Sequence, residues 1–189
     1  MFLVAGPGRT GSVFLFEYLK TLFAQSNLRK RIHSIKQTHN ATLQLPYETV
    51  VIQCRRKNLF EHTLSSVIAQ YTNEWTEYSQ QSVSLHIDLR DFESKYLWNL
   101  RWFEAFEHFT SYKHRVNLYF EDFITNPGLI NRSLDLPLSD IVSRTRARPR
   151  ALHTVTNLTE LQNFFQELQA DPGRHNFPIE QRDWSWQLK

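Results

Sequence analysis

The stretch Phe2-Leu3-Val4-Ala5-Gly6-Pro7-Gly8-Arg9-Thr10-Gly11-Ser12-Val13-Phe14-Leu15 reads as a buried strand, a glycine-rich turn and the start of an apolar helix. That is the layout of a phosphate cradle. Glycines let the backbone bend tightly and approach a ligand, so successive N–H groups and the positive end of the helix dipole converge on an anion. Arg9 adds a fixed positive charge beside them.

The loop departs from the nucleoside-triphosphate pattern G-x-x-x-x-G-K-[ST] in a telling way. Gly6 and Gly11 have the right spacing, but Ser12 stands in place of the lysine and Val13 in place of the magnesium-binding hydroxyl. A kinase or ATPase loop without both groups loses its γ-phosphate contact and its metal. The expectation is a loop for a phosphate-like group that needs no metal, with the cation supplied by Arg9.

Gly8-Arg9-Thr10-Gly11-Ser12 resembles the 5′-phosphosulfate loop of sulfotransferases that use 3′-phosphoadenosine 5′-phosphosulfate (PAPS). The resemblance implies that Arg9 contacts the phosphosulfate bridge and that Gly8, Thr10, Gly11, Ser12 and Val13 line the cofactor with backbone or hydroxyl donors. Val13 departs from the hydroxyl residue common at that position, which leaves only its backbone N–H.

Thr49-Val50-Val51-Ile52-Gln53-Cys54 is a β-branched run of strand character, followed by Arg55-Arg56-Lys57-Asn58 and a helix-spaced segment from Leu59 to Gln70. An arginine at a strand end and a serine on the next helix resemble that family's 3′-phosphate site. A guanidinium fork plus a hydroxyl donor matches a dianionic phosphate. Arg56 and Ser65 are the expected pair, although their spacing is one residue longer than is common there; Arg55, Lys57 and Ser66 are substitutes.

Lys36-Gln37-Thr38-His39 is similar to the K-T-H stretch that carries the catalytic histidine in many sulfotransferases, with Gln37 interrupting it. A histidine titrating near pH about 6.5 suits removal of an acceptor hydroxyl's proton. His39 is therefore the expected base, with Glu17 and Glu61 as fallbacks. Lys36 is a candidate to balance charge on the transferring sulfuryl group.

The 189 residues, 41% of them hydrophobic and 14% aromatic, fit one folded domain and exclude disorder. A net charge of +3 suits a polyanionic cofactor or an acidic acceptor and does not call for nucleic acid. No apolar run approaches the roughly 20 residues a membrane span needs, and residues 2–5 are too short for a signal peptide. With Cys54 as the single cysteine, a soluble, cytoplasmic protein without an intrachain disulfide is expected. Phe60 stands where a C-x-x-x-x-x-R phosphatase loop needs arginine. There is no metal-binding motif. The sequons at Asn40, Asn131 and Asn157 are expected to remain unmodified in a chain with no export signal.

Periodicity predicts strands near 2–6, 32–36, 49–54 and 115–120, and helices near 11–25, 59–73, 90–111 and 158–169. Such alternation means α/β: a parallel sheet with helices on both faces and binding loops at the carboxyl ends of strands. The aromatics of residues 90–111 read as core. Residues 116–127, with Tyr119-Phe120-Glu121-Asp122-Phe123 and Asn126-Pro127, resemble a late "Y-E-D-L…P" segment of sulfotransferases, in which Glu121 and Asp122 organise structure. Arg144, Arg146, Arg148 and Arg150 stand where the family often closes a basic loop over the cofactor, and a basic surface loop or a docking patch for an acidic acceptor explains them as well. The resemblance covers residues 2 to about 130 and is nearest to small bacterial and carbohydrate-acting members.

The expected protein is thus a P-loop NTPase-like, sulfotransferase-fold domain over residues 1–189. Its expected reaction moves a sulfuryl group from PAPS to a hydroxyl, with a small molecule or glycan as acceptor and 3′-phosphoadenosine 5′-phosphate (PAP) as product. The alternatives are a nucleotide kinase with a degenerate loop and a non-catalytic PAP- or polyanion-binding relic of the same fold.

Overall fold

Residues 1–25, 32–35, 48–74, 82–109, 114–137 and 153–171 are described by a computed structural model of the chain. Strand β1 (Phe2–Ala5) is buried along its whole length, because it lies inside the sheet with covered faces on both sides. Its neighbours are β2 (Ile32–Ile35) and β3 (Val50–Arg55), and β5 (His114–Tyr119) completes the parallel order β2-β1-β3-β5.

The chain leaves β1 through helix α1 (Ser12–Gln25) toward β2, on one side. It leaves β3 through α2 (Leu59–Thr72) and α3 (Leu89–Phe109) toward β5, on the other. Connections that diverge in this way make a topological switch point at the carboxyl ends of β1 and β3, the place where open parallel sheets hold ligands. Right-handed crossovers running in opposite directions put their helices on opposite faces, and the packing shows it. Phe2, Val4, Ile52 and Cys54 meet Leu15, Tyr18, Leu19 and Leu22 of α1 on one face. Leu3, Ala5 and Val51 meet Trp102, Phe103 and Phe106 of α3 on the other. Alternate residues of each strand supply the two cores, as the period of two requires.

Every strand and helix expected from periodicity is present. Four short elements were not anticipated: β4 (Ser84–Leu85) paired in parallel with β6 (Thr154–Val155), and helices α4 (Phe120–Thr125) and α5 (Gly128–Ser133) after β5. Phe120, expected as a strand end, begins α4, which carries Phe123 into the α1 core. A further apolar cluster joins α2, α3 and α6 (Leu158–Ala170) around Phe92, Tyr96, Leu161 and Phe165. Among the described residues no helix is long and apolar enough to cross a membrane.

Candidate functional site

The ladder between β1 and β3 ends at Ala5 opposite Gln53, while β3 runs on with β5 to pair Arg55 with Tyr119. The loop of residues 6–11 therefore lies over the end of β1, against the projecting end of β3. A methyl group on Gly6 would stand 2.4 Å from Thr10 Oγ1 and 3.0 Å from the Cys54 carbonyl. At Gly11, where φ is 79°, it would stand 2.4 Å from Phe120 Cδ2. Both glycines are thus required by space, and Gly11 by backbone conformation as well.

Arg9 also has a left-handed backbone, with φ 70°, which costs a residue with a Cβ about 1 kcal/mol or more. Side chains hold the loop in this shape by taking its carbonyls. The Thr10 hydroxyl donates to the Pro7 carbonyl at 2.8 Å, His62 Nε2–H to that of Gly8 at 2.9 Å, and Arg56 Nη1 to that of Arg9 at 3.3 Å. The Gly11 carbonyl accepts the Leu15 N–H and starts α1. Oxygens that would repel an anion are thereby occupied, and the first-turn N–H groups of α1 have no acceptor within the helix.

Arg9 Nε donates to Ser65 Oγ at 3.1 Å and Nη1 lies 3.5 Å from the Glu74 carbonyl. Arg56 Nε donates to Glu121 Oε1 at 2.8 Å, and its guanidinium lies over the Phe120 ring at 4.6 Å. The other Glu121 oxygen accepts the Lys57 backbone N–H, while Lys57 Nζ pairs with Asp122 at 2.6 Å. Burial pushes the Glu121 carboxyl up, but the Lys57 N–H, its own backbone N–H and Arg56 outweigh that and hold it below the usual carboxylate range. Among the described residues the Nη2 group of Arg56 has no protein acceptor.

Gly8, Arg9, Thr10, Gly11, Ser12, Val13, Arg56 and Ser65 are thus gathered at the carboxyl ends of β1 and β3. Ser65 is bonded to Arg9, and Arg56 to Glu121 and the loop. Seen from the helix axis, Ser65 lies one turn beyond His62 and shares its buried face, which turns toward the loop. The Thr10 proton is spent inside the turn, so Thr10 offers a ligand its backbone N–H. Val13 is 41% exposed. Lys36, His39 and residues 144–150 lie outside the described residues. Of the fallback carboxylates, Glu61 is exposed at the start of α2, where Asn58 caps the helix through the Glu61 N–H, and Glu17 faces Lys20 at 3.7 Å.

His62, Glu74 and Phe120 are the site residues that sequence reading missed. Only His62 left a trace, as a polar residue on the helix face that also carries Ser65 and Ser66. It is fully buried, and desolvation pulls its pKa down to about 4. The ring is therefore neutral; since a carbonyl only accepts, Nε2 carries the proton and Nδ1 is left without a protein donor among the described residues. Burial raises the Cys54 thiol far above its ordinary range, so it is no nucleophile. Among the described residues no group of His, Cys, Asp or Glu is placed to hold a metal. A groove of about 420 Å³ adjoins the turn, lined by Lys57, Asn58, Leu59, Phe165 and Gln169.

No protein-family model, curated protein or solved structure matches this chain.

Proposed function

We propose that this protein transfers a sulfuryl group from PAPS to a hydroxyl acceptor. The observation that carries the reading is the loop of residues 6–11, whose carbonyls at Pro7, Gly8 and Arg9 are each taken by a side-chain donor where the strand connections diverge. A loop with its oxygens turned to the protein and a cation within it suits a phosphosulfate. The Nη2 of Arg56, without an acceptor among the described residues, and the Ser65 hydroxyl suit a second phosphate, the feature that distinguishes PAP from adenosine 5′-phosphate.

Bound PAPS supplies the sulfuryl group as an activated mixed anhydride. In this reading the Arg9 guanidinium and the N–H groups of Arg9, Thr10, Gly11, Ser12 and Val13 stabilise charge on the bridging oxygen as its bond to sulfur breaks. His39 takes the proton of the acceptor hydroxyl as the new oxygen–sulfur bond forms. Arg56 anchors the cofactor by its 3′-phosphate, held in place by Glu121. Positioning and electrostatics carry the rate, so no side chain need form a covalent bond.

Calorimetric titration with PAP and with adenosine 5′-phosphate tests the reading. Micromolar binding of PAP and failure of the other nucleotide are expected. Arg9→Ala should lose turnover by two orders of magnitude or so, and Arg56→Ala should chiefly weaken PAP binding. Parent-like behaviour of both variants would overturn the assignment.

A further inference from the structure

Of the three side chains that take loop carbonyls, Thr10 belongs to the turn and Arg56 also serves Glu121. The His62 ring has only the Gly8 carbonyl as a hydrogen-bond partner among the described residues. Its other ring nitrogen is buried without a protein donor among the described residues, which lowers stability. Its ring lies 6.4 Å from that of Phe103. An apolar side chain would pack there without that penalty, so the reason for histidine has to lie in the loop.

The peptide unit is planar and trans, so a carbonyl and the N–H that follows it point to opposite sides. Holding the Gly8 carbonyl toward α2 therefore turns the Arg9 N–H to the other side of the peptide plane. Without that bond, a peptide preceded by glycine turns over at little steric cost, and a carbonyl oxygen then faces any bound anion. The neighbouring bonds act alike: Thr10 on Pro7 orients the Gly8 N–H, and Arg56 on Arg9 orients the Thr10 N–H.

We propose that His62 is the positioning residue of the anion loop: its Nε2–H holds the Gly8 carbonyl so that the loop presents N–H groups, not oxygens, to the phosphosulfate. The inference rests on the reading of this loop as the PAPS site. It assigns His62 no contact with the cofactor and no proton transfer.

The test compares the parent with His62→Met, which fills the space without a donor, and His62→Gln, whose amide N–H reaches the place of Nε2. H62M is expected to melt close to the parent, because relief of the unmatched Nδ1 offsets the lost bond to the Gly8 carbonyl, yet bind PAP about tenfold more weakly, equivalent to about 1.4 kcal/mol. H62Q is expected to recover most of that affinity. A purely structural histidine predicts the reverse, with melting temperature and affinity falling together and no recovery in H62Q; that result, or parent-like binding by H62M, overturns the proposal. Should the parent fail to bind PAP, the sulfotransferase reading falls, and the same three proteins titrated with inorganic pyrophosphate decide the role of His62 alone. Loss in H62M with recovery in H62Q supports it, equal binding refutes it, and a parent that binds neither anion overturns both.

Discussion

The two faces of the four-stranded sheet are buried to a similar degree and built on different principles. Toward α1 the polar pair in the core is closed: Tyr18 donates to Asn131 Oδ1 at 2.8 Å, and Asn131 Nδ2 donates to the Pro137 carbonyl at 2.7 Å. Toward α3, Gln53 Nε2, His62 Nδ1, both amide atoms of Asn99 and Trp102 Nε1 are buried without a protein partner among the described residues. Asn99, Trp102, Phe103 and Phe106 share one helical stripe, and the last three pack on the sheet. Buried polar atoms without partners lower stability. One face is optimised for the fold, whereas the other carries polar groups that the fold alone does not require and lies on the side from which His62 reaches the loop.

The largest effect expected from this contrast is on the closed face. Leu19→Ala removes a fully buried side chain and should cost about 2–5 kcal/mol, lowering the melting temperature by on the order of 10 °C while leaving PAP affinity intact. Equal loss of affinity would mean that the α1 core and the loop are one cooperative unit.

Next comes the pH response of the open face. The folded pKa of His62 is depressed from 6.5 to about 4, so the unfolded chain binds more protons between those values. Its contribution is complete above about pH 6.5 and declines as pH falls toward about 4, by at most on the order of 3 kcal/mol. Urea titrations of the parent and H62Q across that window should diverge by this slope. Parallel curves would show that the ring is hydrated in the folded state.

A smaller loss, about 1–3 kcal/mol, is expected for Tyr18→Phe, which leaves Asn131 Oδ1 buried without its donor. A near-neutral result would mean that Asn131 re-pairs. The smallest effect, within about 1 kcal/mol of the parent or stabilising, belongs to Asn99→Leu, because it replaces two unmatched polar atoms by methyl groups of similar volume. A marked destabilisation would reveal an ordered partner for that amide and erase the contrast between the faces.

Local pattern was sufficient for the main elements. The uninterrupted apolar run of residues 2–5, the β-branched run before Arg55 and the aromatic stripe of α3 encode burial through spacing alone, and all appear in place. The loop glycines were legible for the same reason, since their conformational needs are local. The short helices α4 and α5 were not, because Phe120 and Phe123 are drawn into place by the α1 core and the loop rather than by helical period.

By itself, then, the sequence determined an α/β chain with parallel strands, a glycine-rich turn running into an apolar helix, and basic residues at two strand ends. The tertiary structure alone decided the strand order and which donor takes which acceptor: Arg9 with Ser65, Arg56 with Glu121, and His62 with Gly8. Those partners stand 54 or more residues apart in the chain. Periodicity reports which way a side chain points, but the identity of a distant partner depends on how helices and strands are stacked, and a bond of about 3 Å is set only when that stacking is complete.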